Sequence, residues 1–92
     1  MQVNRYFDDQ VLSLSFENAA GTQSVGLMAV GEYTFGTSQD ETMTVVSGTL
    51  SLKREGDSDF AAFQAGKTFE ITANLEFNDK TAEPTAYTRH QS

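Results

Sequence analysis

An all-β domain, closed into a barrel or stacked as a sandwich, is the fold class that this 92-residue chain predicts. Three observations carry that expectation. Polar and apolar residues alternate with period two over short stretches, which places successive side chains on opposite faces of a strand. Clusters of Gly, Asp, Asn and Ser interrupt these stretches at short intervals, as turns between strands do. Helical periodicity is absent from every stretch longer than a few residues, so neither an α/β nor an all-α architecture fits.

The elements follow in chain order. NRYFDDQVL reads either as a turn capped by Asn4 or as an N-terminal strand. Residues 11–16 alternate Leu12, Leu14 and Phe16 against Val11, Ser13 and Ser15, and NAAGTQ then makes a turn. Residues 24–35 read as one long strand that Gly26 and Gly31 allow to bend or bulge. TSQDE is a polar connection. TMTVVSGTLSLK is two strands meeting at Ser47 and Gly48. EGDSD is the most turn-like run, FAAFQAGKTFEI and LEFND continue the alternation, and the lone proline, Pro84, precedes a last short strand over residues 85–88. With no repeat, low-complexity tract or linker, residues 1–92 are expected to form one domain.

At this length a chain buries only about two-thirds of the surface that its unfolded form exposes. There is no Cys and a single His, His90. Disulfide staples and a histidine metal site are therefore out of reach, and a homodimer is the expected remedy. Six basic residues stand against thirteen acidic ones, a net charge of −7. Such a balance argues against nucleic acid as partner, because phosphate neutralisation needs clustered Lys and Arg. The only adjacent basic pair, Lys53 and Arg54, reads as a solvated strand end. No apolar run approaches the roughly 20 residues that span a bilayer, and no signal peptide is visible, so the expectation is cytoplasmic with no membrane partner.

Spacing adds a resemblance. Glu41 is followed by six residues and then Gly48, which resembles the first motif of the cupin β-barrel. In that motif two His positions precede the acid, and here they fall on Phe35 and Thr37. The second motif, anchored at Gly66, puts Thr72 at its Pro, Asn74 at its Gly, Phe77 at its His and Thr81 at its Asn. The resemblance implies a cupin-like (jelly-roll) barrel. The motif's imidazoles are missing, and phenyl rings supply no donor to a metal, so no metal is expected.

In the cupin register Tyr33, Phe35 and Thr37 share an inward face, as do Glu41, Met43 and Val45, and then Leu75, Phe77 and Asp79. The lining so predicted is an apolar wall with a few polar groups, the usual make-up of a small-molecule site. Met43 and Val45 also suit plain core filling. An inward Glu41 implies a wet pocket or a hydrogen-bonded partner. Were TSQDE a surface loop, Glu41 would instead be exposed. Tyr33 would either find a partner for a buried hydroxyl or stack on a ring at the pocket mouth.

The longer strings are more specific than the spacing. SVGLMAVGEYTFGTSQDETMTVVSGTLSL, then FAAFQAGKTFEI, Phe77 and AEPTAYT resemble the small single-domain cupins of the pyrimidine/purine nucleoside phosphorylase family over nearly the whole chain. The departures are Lys53-Arg54-Glu55, Phe60, Thr72 and the tail Tyr87-Thr88-Arg89-His90, which stands where the family has a more apolar ending. The resemblance implies a metal-free homodimer without cofactor. Its reaction would cleave purine and pyrimidine nucleosides with orthophosphate as co-substrate, giving free base and α-D-ribose 1-phosphate. Phosphorolysis of an N-glycoside passes through a ribosyl cation-like state. Tyr33, Phe35, Thr37, Met43 and Phe77 are then the substrate-binding candidates, and Glu41 the catalytic one, as acid or ribose anchor. For phosphate, Thr37, backbone N–H groups near Gly36, Arg89 and Arg5 all stay open. A catalytically silent cupin binding a sugar or nucleotide-like molecule competes with this reading. A metal-dependent cupin is a distant third.

Overall fold

The computed structural model describes residues 1–91, which form ten strands and no helix. They are β1 (Gln2–Tyr6), β2 (Val11–Asn18), β3 (Gly21–Met28), β4 (Gly31–Gly36), β5 (Glu41–Ser47), β6 (Thr49–Arg54), β7 (Ala61–Gln64), β8 (Thr68–Ile71), β9 (Glu76–Thr81) and β10 (Thr85–Gln91). Six strands pair in the order β1-β2-β3-β10-β5-β8 and four in the order β4-β9-β6-β7. Every pairing is antiparallel. Two sheets face each other as in a jelly roll, and the inward residues of each strand fill the space between them.

The stretch expected as one long strand is two. β3 ends at Met28 in the six-stranded sheet, and β4 starts at Gly31 in the other. The corner is pinned from inside, because the Tyr33 hydroxyl donates to the carbonyl of Ala29 at 2.8 Å. Gly31 is needed there, since a Cβ on it would lie 2.8 Å from that hydroxyl oxygen. Gly26, expected as a bend, lies inside β3 opposite Tyr87, whose ring occupies the volume that any side chain at Gly26 would need. Residues 4–6 are strand rather than a capped turn. The turn that follows holds Phe7, Asp8 and Asp9 at φ of 53°, 54° and 67°.

Val11, Met28, Met43, Val45, Leu50, Leu52, Phe69 and Ile71 form the buried core between the sheets. Each such side chain contributes roughly 1.5–3 kcal/mol by leaving water. β10, expected to be short and terminal, runs to Gln91 and sits between β3 and β5 in the middle of the larger sheet. Its inward residues therefore reach the barrel interior. Among the described residues no helix is long and apolar enough to cross a membrane.

Candidate functional site

Two walls meet inside the barrel. The wall from β4 and β9 is aromatic, because antiparallel register places Phe35 opposite Phe77 and Tyr33 opposite Asp79. The Phe35 and Phe77 rings are stacked with centroids 5.8 Å apart. From β1 and its turn, Tyr6 meets the Phe35 ring edge-on at 5.9 Å, and Phe7 packs on Phe35 and Tyr33 at 5.5 and 5.1 Å. Phe77 and Tyr33 are buried, whereas Phe35 is half-buried.

The facing wall, from β1, β2, β3, β10 and β5, carries a row of polar side chains beside its core residues. Register aligns Asn4 with Ser13, Ser15 with Ser24, Ser24 with Arg89, and Gln91 with Glu41. The Asn4 side-chain amide donates to Ser13 Oγ at 3.1 Å and to Ser15 Oγ at 2.7 Å. Ser15 Oγ lies 3.1 Å from Ser24 Oγ, and Arg89 Nη2 donates to Ser24 Oγ at 3.4 Å. At the far end of this row Gln91 Nε2 donates to Glu41 Oε2 at 3.0 Å, with Arg89 Nη1 3.8 Å from the same oxygen.

Glu41 is the first residue of β5 and only 4% exposed, so the surface-loop alternative does not hold. Its Oε1 has no hydrogen-bond partner. Asp79, 1% exposed, likewise leaves Oδ1 without one, and so does Arg89 with Nε. Burial pushes the Asp79 carboxyl up from 3.8 to about 7, and the neighbouring charge of Glu41 adds to that. Tyr87 is pushed up to about 12, first by burial; the Arg89 charge opposes this, and Asp79, Tyr6 and Glu41 reinforce it. Each of these couplings joins residues of the same interior. A buried polar atom without a partner costs free energy, so three in the same interior are explained if a polar ligand completes them.

The sequence-predicted residues divide into two sets. Glu41, Phe35 and Phe77 present groups that a ligand can use. Tyr33 has its hydroxyl committed to the β3–β4 corner, with a second carbonyl, that of Val30, at 3.3 Å. Thr37 is committed too: its hydroxyl donates to the Thr72 carbonyl at 2.8 Å, and its Oγ1 accepts the Leu75 N–H at 3.1 Å. Met43 is core, buried opposite Arg89 and Phe69. Arg5 is exposed and paired with Asp9 at 3.0 Å, which removes it from the phosphate candidates. Arg89 stays among them. Asn4, Ser13, Ser15, Ser24, Tyr87 and Gln91 were not singled out by the sequence, although alternation had already put Ser13 and Ser15 on one face.

Metal chemistry finds few donors here. Phe35, Thr37 and Phe77 hold the motif's imidazole positions, and among the described residues no group of three or more His, Cys, Asp or Glu side chains could hold an ion. His90 lies away from the walls, its Nε2 2.6 Å from the carbonyl oxygen of Ala20 in the β2–β3 turn.

Comparison with known proteins decides the family. The profile described as pyrimidine/purine nucleoside phosphorylase matches residues 1–90. This chain belongs to that family. A pyrimidine/purine nucleoside phosphorylase of Rhodopirellula baltica is 51% identical over 87 residues, 95% of either chain. A crystal structure of a Vibrio parahaemolyticus protein of unknown function is similar at a TM-score of 0.94 and 40% identity, covering 97% of this chain and 95% of the other. An RmlC-like cupin from Shewanella frigidimarina superposes at a TM-score of 0.75 with 11% identity, covering 99% and 82%, a likeness of fold alone. The cupin fold expected from the spacing of Glu41, Gly48 and Gly66 is thus the fold the family member has.

Proposed function

We propose that this member of the family is a broad-specificity phosphorylase, cleaving purine and pyrimidine nucleosides with orthophosphate to free base and α-D-ribose 1-phosphate. The observation that carries the reading is the family match over residues 1–90, joined to an interior with an aromatic wall facing a row of polar side chains. Phe35 and Phe77 offer stacking surface to the base. Stacking is worth roughly 1–3 kcal/mol per base and reads no base edge, which suits purines and pyrimidines alike. Tyr33, Met43 and Thr37 support this surface and fix the β4 and β5 ends around it. Glu41 turns a buried carboxylate with one free oxygen toward the ribose, where it stabilises the cation-like state. No metal or organic cofactor takes part, and the reaction would run in the cytoplasm, where both substrates are soluble metabolites.

The test is direct. Purified protein incubated with uridine and a purine nucleoside in phosphate buffer should release both bases, with ribose 1-phosphate formed in equal amount, and release neither when phosphate is omitted. Intact nucleosides after prolonged incubation would leave a silent binding cupin.

We also propose a homodimer. Val3, Leu14, Val25 and Leu27 stand exposed on the outer face of β1, β2 and β3, with Leu27 61% and Val25 50% accessible. Together with Leu12 they line a shallow apolar groove of about 270 Å³. A contiguous apolar face on a chain this short fits burial against its copy. Light scattering at micromolar concentration should give twice the chain mass for wild type and the single chain mass for Leu27→Glu. A monomeric wild type would remove the argument.

A further inference from the structure

We infer that the row Asn4, Ser13, Ser15, Ser24 and Arg89 is the orthophosphate subsite, an inference that rests on the phosphorylase reading above. Its donors outnumber the acceptors that meet them. The Asn4 amide has two N–H donors, and both are used, on Ser13 Oγ and Ser15 Oγ. Each serine oxygen therefore accepts, and its own hydrogen is free to be given onward. Ser15 and Ser24 share one hydrogen bond of 3.1 Å, which either hydroxyl can donate. Ser24 Oγ accepts from Arg89 Nη2 as well. The hydrogen of Ser13, and that of whichever of Ser15 and Ser24 accepts, then meet no acceptor among the described residues, and Arg89 Nε–H has none either. Ser13 and Ser24 are buried, 5% and 3% exposed. Three donors without acceptors, one of them on a guanidinium, make a binding site for a compact oxyanion.

The rest of the chamber has the opposite need. Glu41 Oε1 and Asp79 Oδ1 are buried acceptors without donors. A phosphate alone would not satisfy them, but a ribose diol supplies O–H donors. The two sets together match a phosphate beside a ribose. Their placement also suits the reaction. Phosphorolysis of a β-nucleoside to an α-phosphate inverts C1′: a phosphate oxygen bonds to C1′ from one side while the C1′–N bond breaks on the other, its electron pair leaving with the base, which takes up the proton that the hydrogen phosphate gives up. The Ser and Arg row lies on the six-stranded sheet, and the stacked Phe35 and Phe77 lie on the four-stranded sheet facing it. Phosphate and base held on opposite sheets would reach C1′ from opposite sides. Arg89 also lies 3.8 Å from Glu41 Oε2, so one cation serves the incoming anion and the catalytic carboxylate. In a chain of net charge −7 that local cation is what lets an anion enter.

Arg89→Gln and Ser24→Ala test the subsite, with Arg5→Gln as a control for general charge. Steady-state kinetics with phosphate and uridine varied in turn should show the KM for phosphate raised tenfold or more in Arg89→Gln and several-fold in Ser24→Ala. The KM for uridine should stay within about twofold, and Arg5→Gln should match wild type. Calorimetric titration with inorganic phosphate should show binding to wild type and its loss in Arg89→Gln. Active variants whose phosphate KM is unchanged would overturn the subsite and leave the phosphorylase reading intact, as would an Arg5→Gln effect equal to that of Arg89→Gln. Phosphate binding that needs Arg89 and Ser24, in a wild type that cleaves no nucleoside, would keep the subsite and sink the phosphorylase reading.

Discussion

Glu41→Gln is expected to lower turnover about a hundredfold while nucleoside KM changes less than about threefold. A hundredfold corresponds to about 2.7 kcal/mol of transition-state stabilisation. The side chain starts β5, is 4% exposed, and holds one oxygen against Gln91 at 3.0 Å while the other is free. Glutamine keeps the volume and can keep a contact to Gln91, so packing is preserved. It loses the charge. A nucleoside in its ground state is neutral at C1′ and gains little from that charge, whereas the ribosyl cation-like state gains much in a chamber shielded from water. A group that acts mainly in the transition state lowers kcat and kcat/KM together and leaves binding nearly alone. Equal loss of binding and turnover would recast Glu41 as a ribose anchor. Thermal melts must accompany the kinetics, because removing the carboxylate leaves the Arg89 guanidinium without its 3.8 Å neighbour.

The fold was readable because period-two alternation and turn residues are local signals. β2, the β5–β6 junction at Gly48 and the turn at residues 55–59 fall where those signals put them, although β5 and β6 belong to different sheets and do not pair as a hairpin. Gly48 is at φ 90°, the left-handed conformation that glycine adopts without strain. Glu41, Phe35 and Phe77 were readable for another reason, since the cupin spacing fixes which residues share the interior. The β3–β4 corner was not readable. Ala29 and Val30 carry no turn chemistry, and the break depends on a hydroxyl four residues later reaching back to a carbonyl. Alternation also assigns residues to faces without saying which face is inside. On β2 the Leu12, Leu14 and Phe16 face suggests a core, yet Val11 and Ser13 are the buried ones and Leu14 is exposed. Buried serines with exposed Leu14, Val25 and Leu27, on β2 and β3, locally invert the usual rule. The inversion is consistent where the interior serves a polar ligand and the exterior a second copy. The tail poses the same problem, for Arg89 is one basic residue among six until β10 is known to lie between β3 and β5.

Asp79→Asn is expected to stabilise the protein at neutral pH, with a pH dependence that identifies the cause. In the folded chain burial, with the Glu41 charge as second cause, holds the Asp79 carboxyl at about 7, against 3.8 ordinarily. Between those values the unfolded chain has lost the proton and the folded chain still binds it. Folded protein then binds more protons than unfolded, so stability falls as pH rises through this window and levels off above it. The difference corresponds to at most about 4 kcal/mol. Asparagine is neutral throughout. Melting curves of wild type and Asp79→Asn should nearly coincide at pH 4, diverge through pH 5 and 6, and stay apart at pH 8 with the variant higher. Glu41→Gln should narrow the gap by removing the second cause, without closing it, because burial remains. Curves that stay parallel at every pH would mean that Asp79 does not titrate in this window and that its carboxylate is already compensated, Tyr87 being the hydroxyl its charge reaches.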